Sequence, residues 1–192
     1  MQSRYILNFQ GRMFRPHPSP NLLNNERCDV FISHRSIDTK RTVPTLLYDH
    51  LRRLGFCPFL DNKTMKPGDK LFHKINNAIF ECKLGVAVVS PRYCESFFCL
   101  HELALMLERQ KKLIPIFCDI KPSQLRVNTA KLSVEPEELR RFKSALEEAK
   151  YTVGLTFNSS TGNFSDIVNC ASEIIVSTLM ELEDEEKLPM AV

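Results

Sequence analysis

The fold is decided largely by the stretch CDVFIS at residues 28–33, where apolar side chains follow one another with little interruption. Runs of the same kind recur at residues 56–60, 85–90, 113–118 and 151–157. Runs that are apolar on both faces are typical of parallel strands buried beneath helices, so the pattern predicts five strands. Pro58 and Pro115 weaken two of these predictions, because proline cannot donate to a ladder and prefers strand edges.

Amphipathic segments separate the apolar runs. Leu47, Leu51 and Leu54 lie on one stripe of a predicted helix at residues 42–54. Further helices are predicted at residues 71–83, 97–110, 137–149 and 166–182. Ser96 is placed to cap the helix that begins at residue 97.

The alternation of strands and helices indicates right-handed crossovers between parallel strands. It predicts an α/β fold, a doubly wound parallel sheet with helices on both faces. Ligands of such sheets bind at the carboxyl ends of the strands. We therefore expect the functional site in the loops that follow Ser33, Leu60 and Ser90.

The 192 residues are 43% hydrophobic and 26% charged, which is ordinary for one soluble globular domain. No apolar run approaches the ~18 residues that a membrane-spanning helix needs. The net charge of +3 gives little support for nucleic acid as a partner. Seven cysteines without a CxxC pair indicate reduced thiols, so we expect a cytoplasmic or nuclear protein.

Three segments are predicted along the chain. The first 25 residues contain three arginines and no acidic residue, and we expect residues 1–26 to be a disordered extension, with an organelle transit peptide as the alternative. Residues 27–182 carry the alternating pattern and form the domain. Residues 183–192 follow as a C-terminal tail.

Several common catalytic motifs are missing from the sequence. The six glycines form neither a GxGxxG fingerprint nor a P-loop, so a dehydrogenase or a nucleoside triphosphatase is unsupported. There is no HExxH and no GxSxG motif. The spacing of Cys94, Cys99 and His101 matches no common zinc site. We therefore expect neither a metal nor a bound cofactor, with Cys99 in the core and His101 on a helix surface.

Three motifs in order resemble the plant TIR (Toll/interleukin-1 receptor-like) domain. CDVFISHRSIDT at residues 28–39 is similar to the family's YDVFLSFRGxDT, and FLD at residues 59–61 precedes a polar loop. SPRYCESFFCLHEL at residues 90–103 is similar to SxxYxxSxWCLxEL. The resemblance covers about residues 27–180 and implies a five-stranded flavodoxin-like fold. No nucleotide-binding or leucine-rich repeat region follows in this sequence, so we expect a TIR-only immune protein.

The resemblance implies an enzyme that cleaves NAD+, its substrate, and forms small nucleotide signals for immune cell death. Glu102 occupies the position of the family's catalytic glutamate in CLxEL. One carboxylate can suffice, because nicotinamide departs as a neutral base and needs no general acid, unlike the leaving group of an ordinary glycosidase. The enzyme has to orient the ribose and stabilise the oxocarbenium-like cation. The first hypothesis is therefore an NAD+ nucleosidase that is active when self-associated.

Five further residues are candidate substrate contacts. Arg35 follows the first strand, where a cation could meet the pyrophosphate or a ribose of the dinucleotide. Ser96 could donate to the nucleotide or only cap its helix, and Phe98 stands where the family has Trp, beside the nicotinamide ribose. Lys63 and Lys66 lie in the loop that matches the family's BB loop and are candidate phosphate contacts. NADP+ and ATP are further candidate substrates.

Departures from the family pattern favour a second hypothesis. His34 and Ser36 replace the Phe and Gly of FRG, and Thr45-Leu46 stands where many members have Ser-His at a self-association face. The alternative is a non-catalytic adaptor that binds the TIR domains of immune receptors. Hydrolysis of nucleic acid is a third possibility with little support from the charge, and a phosphoacceptor receiver is unsupported because acidic residues do not cluster after Ser33.

Overall fold

The computed structural model of the protein describes residues 6–7, 13–14, 27–39 and 42–187. Most of the predicted N-terminal extension at residues 1–26 lies outside the described residues, as do residues 188–192 of the predicted tail. Within the extension, β1 (Ile6–Leu7) pairs antiparallel with β2 (Met13–Phe14).

A five-stranded sheet forms the centre of the domain in the described part of the chain. Its strands are β3 (Val30–His34), β4 (Pro58–Phe59), β5 (Leu84–Val89), β6 (Lys112–Cys118) and β7 (Leu155–Phe157). They lie in the order β4-β3-β5-β6-β7, and every neighbouring pair is parallel. The five predicted strands and the parallel sheet are confirmed.

The five predicted helices are present, and the structure adds two short helices that were not predicted, one after β3 and one after β4. In chain order, the helices are α1 (Ser36–Thr39), α2 (Val43–Arg53), α3 (Asp61–Thr64), α4 (Leu71–Glu81), α5 (Phe97–Glu108), α6 (Pro136–Tyr151) and α7 (Phe164–Lys187). Short 3-10 turns at Tyr93–Glu95 and Pro122–Gln124 complete the connections. Helix α7 continues to Lys187, past the predicted end of the domain at residue 182.

Two hydrophobic layers hold the helices to the sheet. On one face, α2 and α7 bury apolar side chains such as Leu47 and Ile175 against the strands. On the other face, α4, α5 and α6 contribute side chains such as Ile79, Leu103 and Phe142. All six residues of β5 are buried, as a strand covered on both sides requires. The predicted doubly wound architecture is therefore confirmed.

The two prolines lie where the ladder tolerates them. Pro58 is in β4, an edge strand that pairs with β3 alone. Pro115 is in the interior strand β6, but pairing with β7 begins only at Ile116. Proline therefore ends neither strand, although it cannot donate a ladder hydrogen bond. The last predicted strand begins later than expected, because Tyr151 is the final residue of α6.

Gly154 provides a test of how tightly the last strand is packed. A Cβ atom at this position would overlap with the carbonyl oxygen of Pro115 and lie 3.0 Å from the ring of Phe117. Because backbone cannot move aside as a side chain can, we expect Gly154→Ala to destabilise the domain by about 1–3 kcal/mol. Urea unfolding followed by circular dichroism measures this change.

Gly85→Ala is the matched control for this substitution. A Cβ at Gly85 meets the flexible side chain of Met106, which can change rotamer, so we expect a smaller loss of stability. Equal unfolding midpoints for wild type and Gly154→Ala would contradict the close packing of β6 against the turn before β7.

Candidate functional site

The carboxyl group of Glu102 lies inside the domain, at the carboxyl end of β3. Glu102 is on α5 and only 7% exposed. Ser33, in β3, donates a hydrogen bond of 2.6 Å from its Oγ to Glu102 Oε2. Strand order reverses between β3 and β5, so this carboxyl group lies at the switch point where doubly wound sheets bind ligands.

The sequence of α5 explains why an acidic side chain is buried. Ser96 Oγ accepts a hydrogen bond of 3.4 Å from the backbone N–H of Cys99 and so caps the helix, as predicted. Leu100 and Leu103 are fully buried on the stripe that faces the sheet. Glu102 adjoins this stripe, and the packing of the leucines carries its side chain inward.

Burial strongly changes the acidity of Glu102. Loss of solvent is the main cause that raises its pKa, the hydrogen bond from Ser33 lowers it, and the negative charge of Asp61 raises it, so that the pKa rises from 4.5 to about 8. The carboxyl group is therefore protonated near neutral pH unless a positive charge comes close to it. A perturbed carboxyl group at a switch point is typical of a functional site.

Arg35 brings a positive charge to the same region. It follows β3, and its Nη1 donates a hydrogen bond of 3.3 Å to Ser96 Oγ, which places it beside the first turn of α5. Its Nε is buried and has no hydrogen-bond partner among the residues that the structure describes. An unsatisfied buried donor is costly, so this N–H is available to an anionic or hydroxyl group of a ligand.

His34 links β3 to the loop that begins with α3. Its Nε2 lies 3.1 Å from Asp61 Oδ1, and its Nδ1 lies 3.0 Å from Thr39 Oγ1. Thr39 in turn donates a hydrogen bond of 3.0 Å to the carbonyl oxygen of Arg35. The start of the polar loop is thereby held over the carboxyl end of β3.

Asp38 connects the loop after β3 to the loop after β5 at the other side of the site. Its carboxylate accepts hydrogen bonds of 2.7 Å from Ser90 Oγ and 2.6 Å from Arg92 Nε. Burial raises the pKa of Asp38, but the hydrogen bonds from Ser90 and Arg92 outweigh this effect and hold the pKa below its usual range. The loops after β3 and β5 are therefore joined by a stable ion pair.

Ser36 is accommodated where the family pattern has glycine. It is the first residue of α1, and its backbone is not in the left-handed region that favours glycine. The loss of glycine therefore leaves the backbone after Arg35 unstrained.

Three of the predicted contacts lie at the periphery. Phe98 is 39% exposed, and its ring packs 5.3 Å from the ring of Phe72. Lys63 pairs with Asp49 on α2 at 3.3 Å, and Lys66 is exposed. The structure thus joins Arg35 to Ser96, which caps the helix that carries Glu102, whereas it shows no side-chain hydrogen bond or ion pair of Phe98, Lys63 or Lys66 with these residues among those it describes.

Two residues without a predicted role border the carboxyl group of Glu102. The hydroxyl oxygens of Ser33 and Tyr93 lie 2.7 Å apart, and Ser33 contacts Glu102. Both residues are buried. The position of Ser33 at the end of a strand and of Tyr93 in the loop after the next central strand was the available signal.

Two of the three residues considered for a zinc site have structural roles. Cys99 is buried in the core, as predicted. His101 is not simply a surface residue: its Nε2 lies 3.1 Å from Asn76 Oδ1, and its Nδ1 lies 3.2 Å from Arg141 Nη1. Across the described residues, no group of three His, Cys, Asp or Glu side chains is arranged to hold a metal ion.

The helices described here are too short or too polar to cross a membrane.

The chain is similar to known plant proteins. The TIR domain family matches residues 30–149. "Probable 2' cyclic ADP-D-ribose synthase BdTIR" of Brachypodium distachyon is 48% identical over 164 residues, which cover 84% of this chain and 73% of that protein. "TMV resistance protein N" of Nicotiana glutinosa is 32% identical over 136 residues, which cover 63% of this chain and 12% of that much longer protein.

Solved structures agree with the sequence relatives. The TIR domains in the structure of the activated Roq1 resistosome, which directly recognises the pathogen effector XopQ, superpose with a TM-score of 0.68 at 28% identity. The match covers 77% of this chain and 99% of that chain. The resemblance to plant TIR domains and the flavodoxin-like fold are therefore confirmed, and the chain belongs to the TIR domain family.

Proposed function

We propose that this chain is an NAD+ nucleosidase of plant innate immunity that is active when self-associated. It cleaves the bond between nicotinamide and ribose and gives nicotinamide together with ADP-ribose or a cyclic or variant nucleotide. The observation that carries the proposal is the buried carboxyl group of Glu102 at the switch point of the sheet, where its partner Ser33 lies two residues before Arg35 and its unpaired Nε.

The relatives support both the chemistry and the setting. The name of BdTIR describes the synthesis of a cyclic ADP-ribose, and the aligned region covers most of both proteins. An ADP-ribose unit arises from NAD+ when nicotinamide leaves. The TMV resistance protein N is named for disease resistance, and the Roq1 TIR domains belong to a resistosome, which supports immune signalling by an assembly.

The reaction needs one well-placed negative charge. The C–N bond breaks heterolytically, and both electrons leave with nicotinamide, which becomes neutral. Positive charge then develops on the ribose, and the carboxylate of Glu102 stabilises it in surroundings of low polarity. Water, or a hydroxyl group of the same nucleotide, forms the new C–O bond and gives its proton to the carboxylate, which later releases it to solvent.

The positive charge of the substrate favours ionisation of the catalytic group. The pKa of Glu102 in the folded chain is about 8, so the carboxyl group is mostly neutral at pH 7. The nicotinamide ring of NAD+ carries a positive charge, which favours the ionised carboxylate when the ring lies close. Binding therefore produces the charge that the transition state requires.

Five further residues complete the proposed substrate site, namely Arg35, Ser96, Phe98, Lys63 and Lys66. Arg35 donates from Nε to a pyrophosphate or ribose oxygen, with Ser96 holding its guanidinium. Phe98 offers a partly exposed ring beside the nicotinamide ribose. Lys63 and Lys66 reach phosphate groups of NAD+, or of NADP+ or ATP, once the loop moves and Lys63 leaves Asp49. Self-association encloses the nucleotide between protomers.

An exposed apolar residue on α2 favours a second candidate function. Leu46 is 42% exposed on this helix, where the family pattern has a polar pair. An adaptor that binds the TIR domains of immune receptors without catalysis would use such a surface. Binding to receptor TIR domains without any turnover of NAD+ at high protein concentration would select this alternative.

The first test removes the charge of Glu102. We expect Glu102→Gln to lower the rate of nicotinamide release by at least about 100-fold, because the amide cannot oppose the positive charge on the ribose. Mass spectrometry of the products after incubation with NAD+ measures the rate and identifies the nucleotide. Glu108→Gln is the matched control, since this exposed glutamate lies on the same helix and pairs with Arg141. Undiminished turnover in Glu102→Gln would refute the assignment.

The same substitution tests the burial of the acidic group through stability. The folded state raises the pKa of Glu102 from 4.5 to about 8, so the unfolded chain ionises first as the pH rises. Wild type therefore loses stability between about pH 5 and pH 8, whereas Glu102→Gln does not. We expect similar Tm values for both proteins near pH 5 and a Tm at least about 5 °C higher for the variant near pH 8.

Thermal unfolding at a series of pH values measures this difference. Glu108→Gln again serves as the control, because its exposed carboxylate should show no such trend. A constant difference in Tm across this pH range would mean that Glu102 is ionised in the folded protein at all these pH values.

A further inference from the structure

Four buried oxygen atoms form a continuous hydrogen-bonded file that begins at the carboxyl group of Glu102. Glu102 Oε2 lies 2.6 Å from Ser33 Oγ, which lies 2.7 Å from Tyr93 Oη. Tyr93 Oη lies 3.1 Å from the carbonyl oxygen of Cys99, to which it can donate. Glu102 and Cys99 belong to α5, Ser33 belongs to β3, and Tyr93 belongs to the 3-10 turn after β5, so the file connects three elements.

The number of hydrogens decides which protonation state of Glu102 fills this file. Ser33 and Tyr93 each have one hydroxyl hydrogen, and the carbonyl of Cys99 can only accept. Ionised Glu102 accepts from Ser33, but neutral Glu102 carries a hydrogen of its own and can donate to Ser33 instead. Three hydrogens then fill three contacts, from Glu102 to Ser33, from Ser33 to Tyr93, and from Tyr93 to the carbonyl. With ionised Glu102, two hydrogens serve three contacts, and one contact is lost.

We propose that Tyr93 is a positioning residue that acts through Ser33 to decide which protonation state of Glu102 the site favours. The inference rests on the proposed function for its catalytic meaning, but the file itself is a property of the folded chain. Tyr93 stabilises the neutral carboxyl group, because only that form lets Ser33 donate to Tyr93 while Tyr93 donates to Cys99. The resting site is thereby kept uncharged until a cationic substrate arrives.

Other titratable and charged groups around Glu102 are unchanged when Ser33 or Tyr93 is substituted. Asp61 on α3 contributes a negative charge that raises the pKa of Glu102, and it pairs with His34 of β3. Arg35 lies beside the first turn of α5. Cys99, on α5 itself, has a pKa raised by burial and remains a neutral thiol. Burial also raises the pKa of Tyr93, so its hydroxyl stays a donor across the physiological range.

Substitutions of the two hydroxyl residues should move the acidity of Glu102 in opposite directions. In Tyr93→Phe, the hydrogen of Ser33 has no acceptor when Glu102 is neutral but still serves ionised Glu102, so the midpoint of Glu102 titration falls. In Ser33→Ala, neutral Glu102 loses weaker contacts between uncharged groups, whereas ionised Glu102 becomes a buried charge without its donor. The second loss costs more, so the midpoint rises. Each change is about one pH unit.

The experiment follows Glu102 directly by NMR of protein labelled with 13C at the glutamate carboxyl carbons. Glu102→Gln identifies the resonance, and its titration is compared in wild type, Tyr93→Phe and Ser33→Ala. Tyr151→Phe is the matched control, because this tyrosine is exposed at the end of α6. Ser33→Thr keeps a hydroxyl group and should restore a midpoint close to that of wild type.

The pH profile of kcat/KM for NAD+ gives the second readout. Its midpoint should move down in Tyr93→Phe and up in Ser33→Ala, whereas a merely structural role would lower kcat without moving the midpoint. Unchanged NMR midpoints, or shifts of both variants in the same direction, would overturn the inference. Opposite NMR shifts in a protein that releases no nicotinamide would support the inference and refute the proposed function.

Discussion

The hydrogen bond between Ser33 and Glu102 is the contact around which the site is arranged. It joins β3, in the interior of the sheet, to α5, the helix that covers its carboxyl end. The neighbours of Ser33 along the strand, His34 and Arg35, then reach the polar loop and the start of α5. A change in the spacing of this strand and this helix would separate all of these groups at once.

This arrangement is held by the core at a cost in stability. Seven of the 12 residues of α5 are buried, and Glu102 is one of them. Leu100 and Leu103 fix the helix against the sheet and so keep the carboxyl group inside the domain. The elevated pKa of Glu102 therefore comes from the packing of its apolar neighbours, and a site of this kind exchanges stability for activity.

Periodicity predicted the strands and helices because each element buries a continuous apolar stripe, as Leu47 does in α2. Glu102 was identified by its place in the motif CLHEL at residues 99–103 and not by periodicity. The contacts of Ser33 with Tyr93 and of His34 with Asp61 could not be predicted, because they join residues separated by 60 and 27 positions. The pairing of Lys63 with Asp49, which lie 14 positions apart, could not be predicted for the same reason.

The departures from the family pattern carry different weight once their contacts are known. A phenylalanine in place of His34 could bond neither Thr39 nor Asp61, so the histidine adds a link between β3 and the polar loop. Ser36 begins α1 without the backbone conformation that would demand glycine. These two changes therefore lie within an intact site and give no reason to favour an adaptor over an enzyme. The argument for an adaptor then depends on the surface of α2 around Leu46, which concerns how copies associate rather than how Glu102 acts.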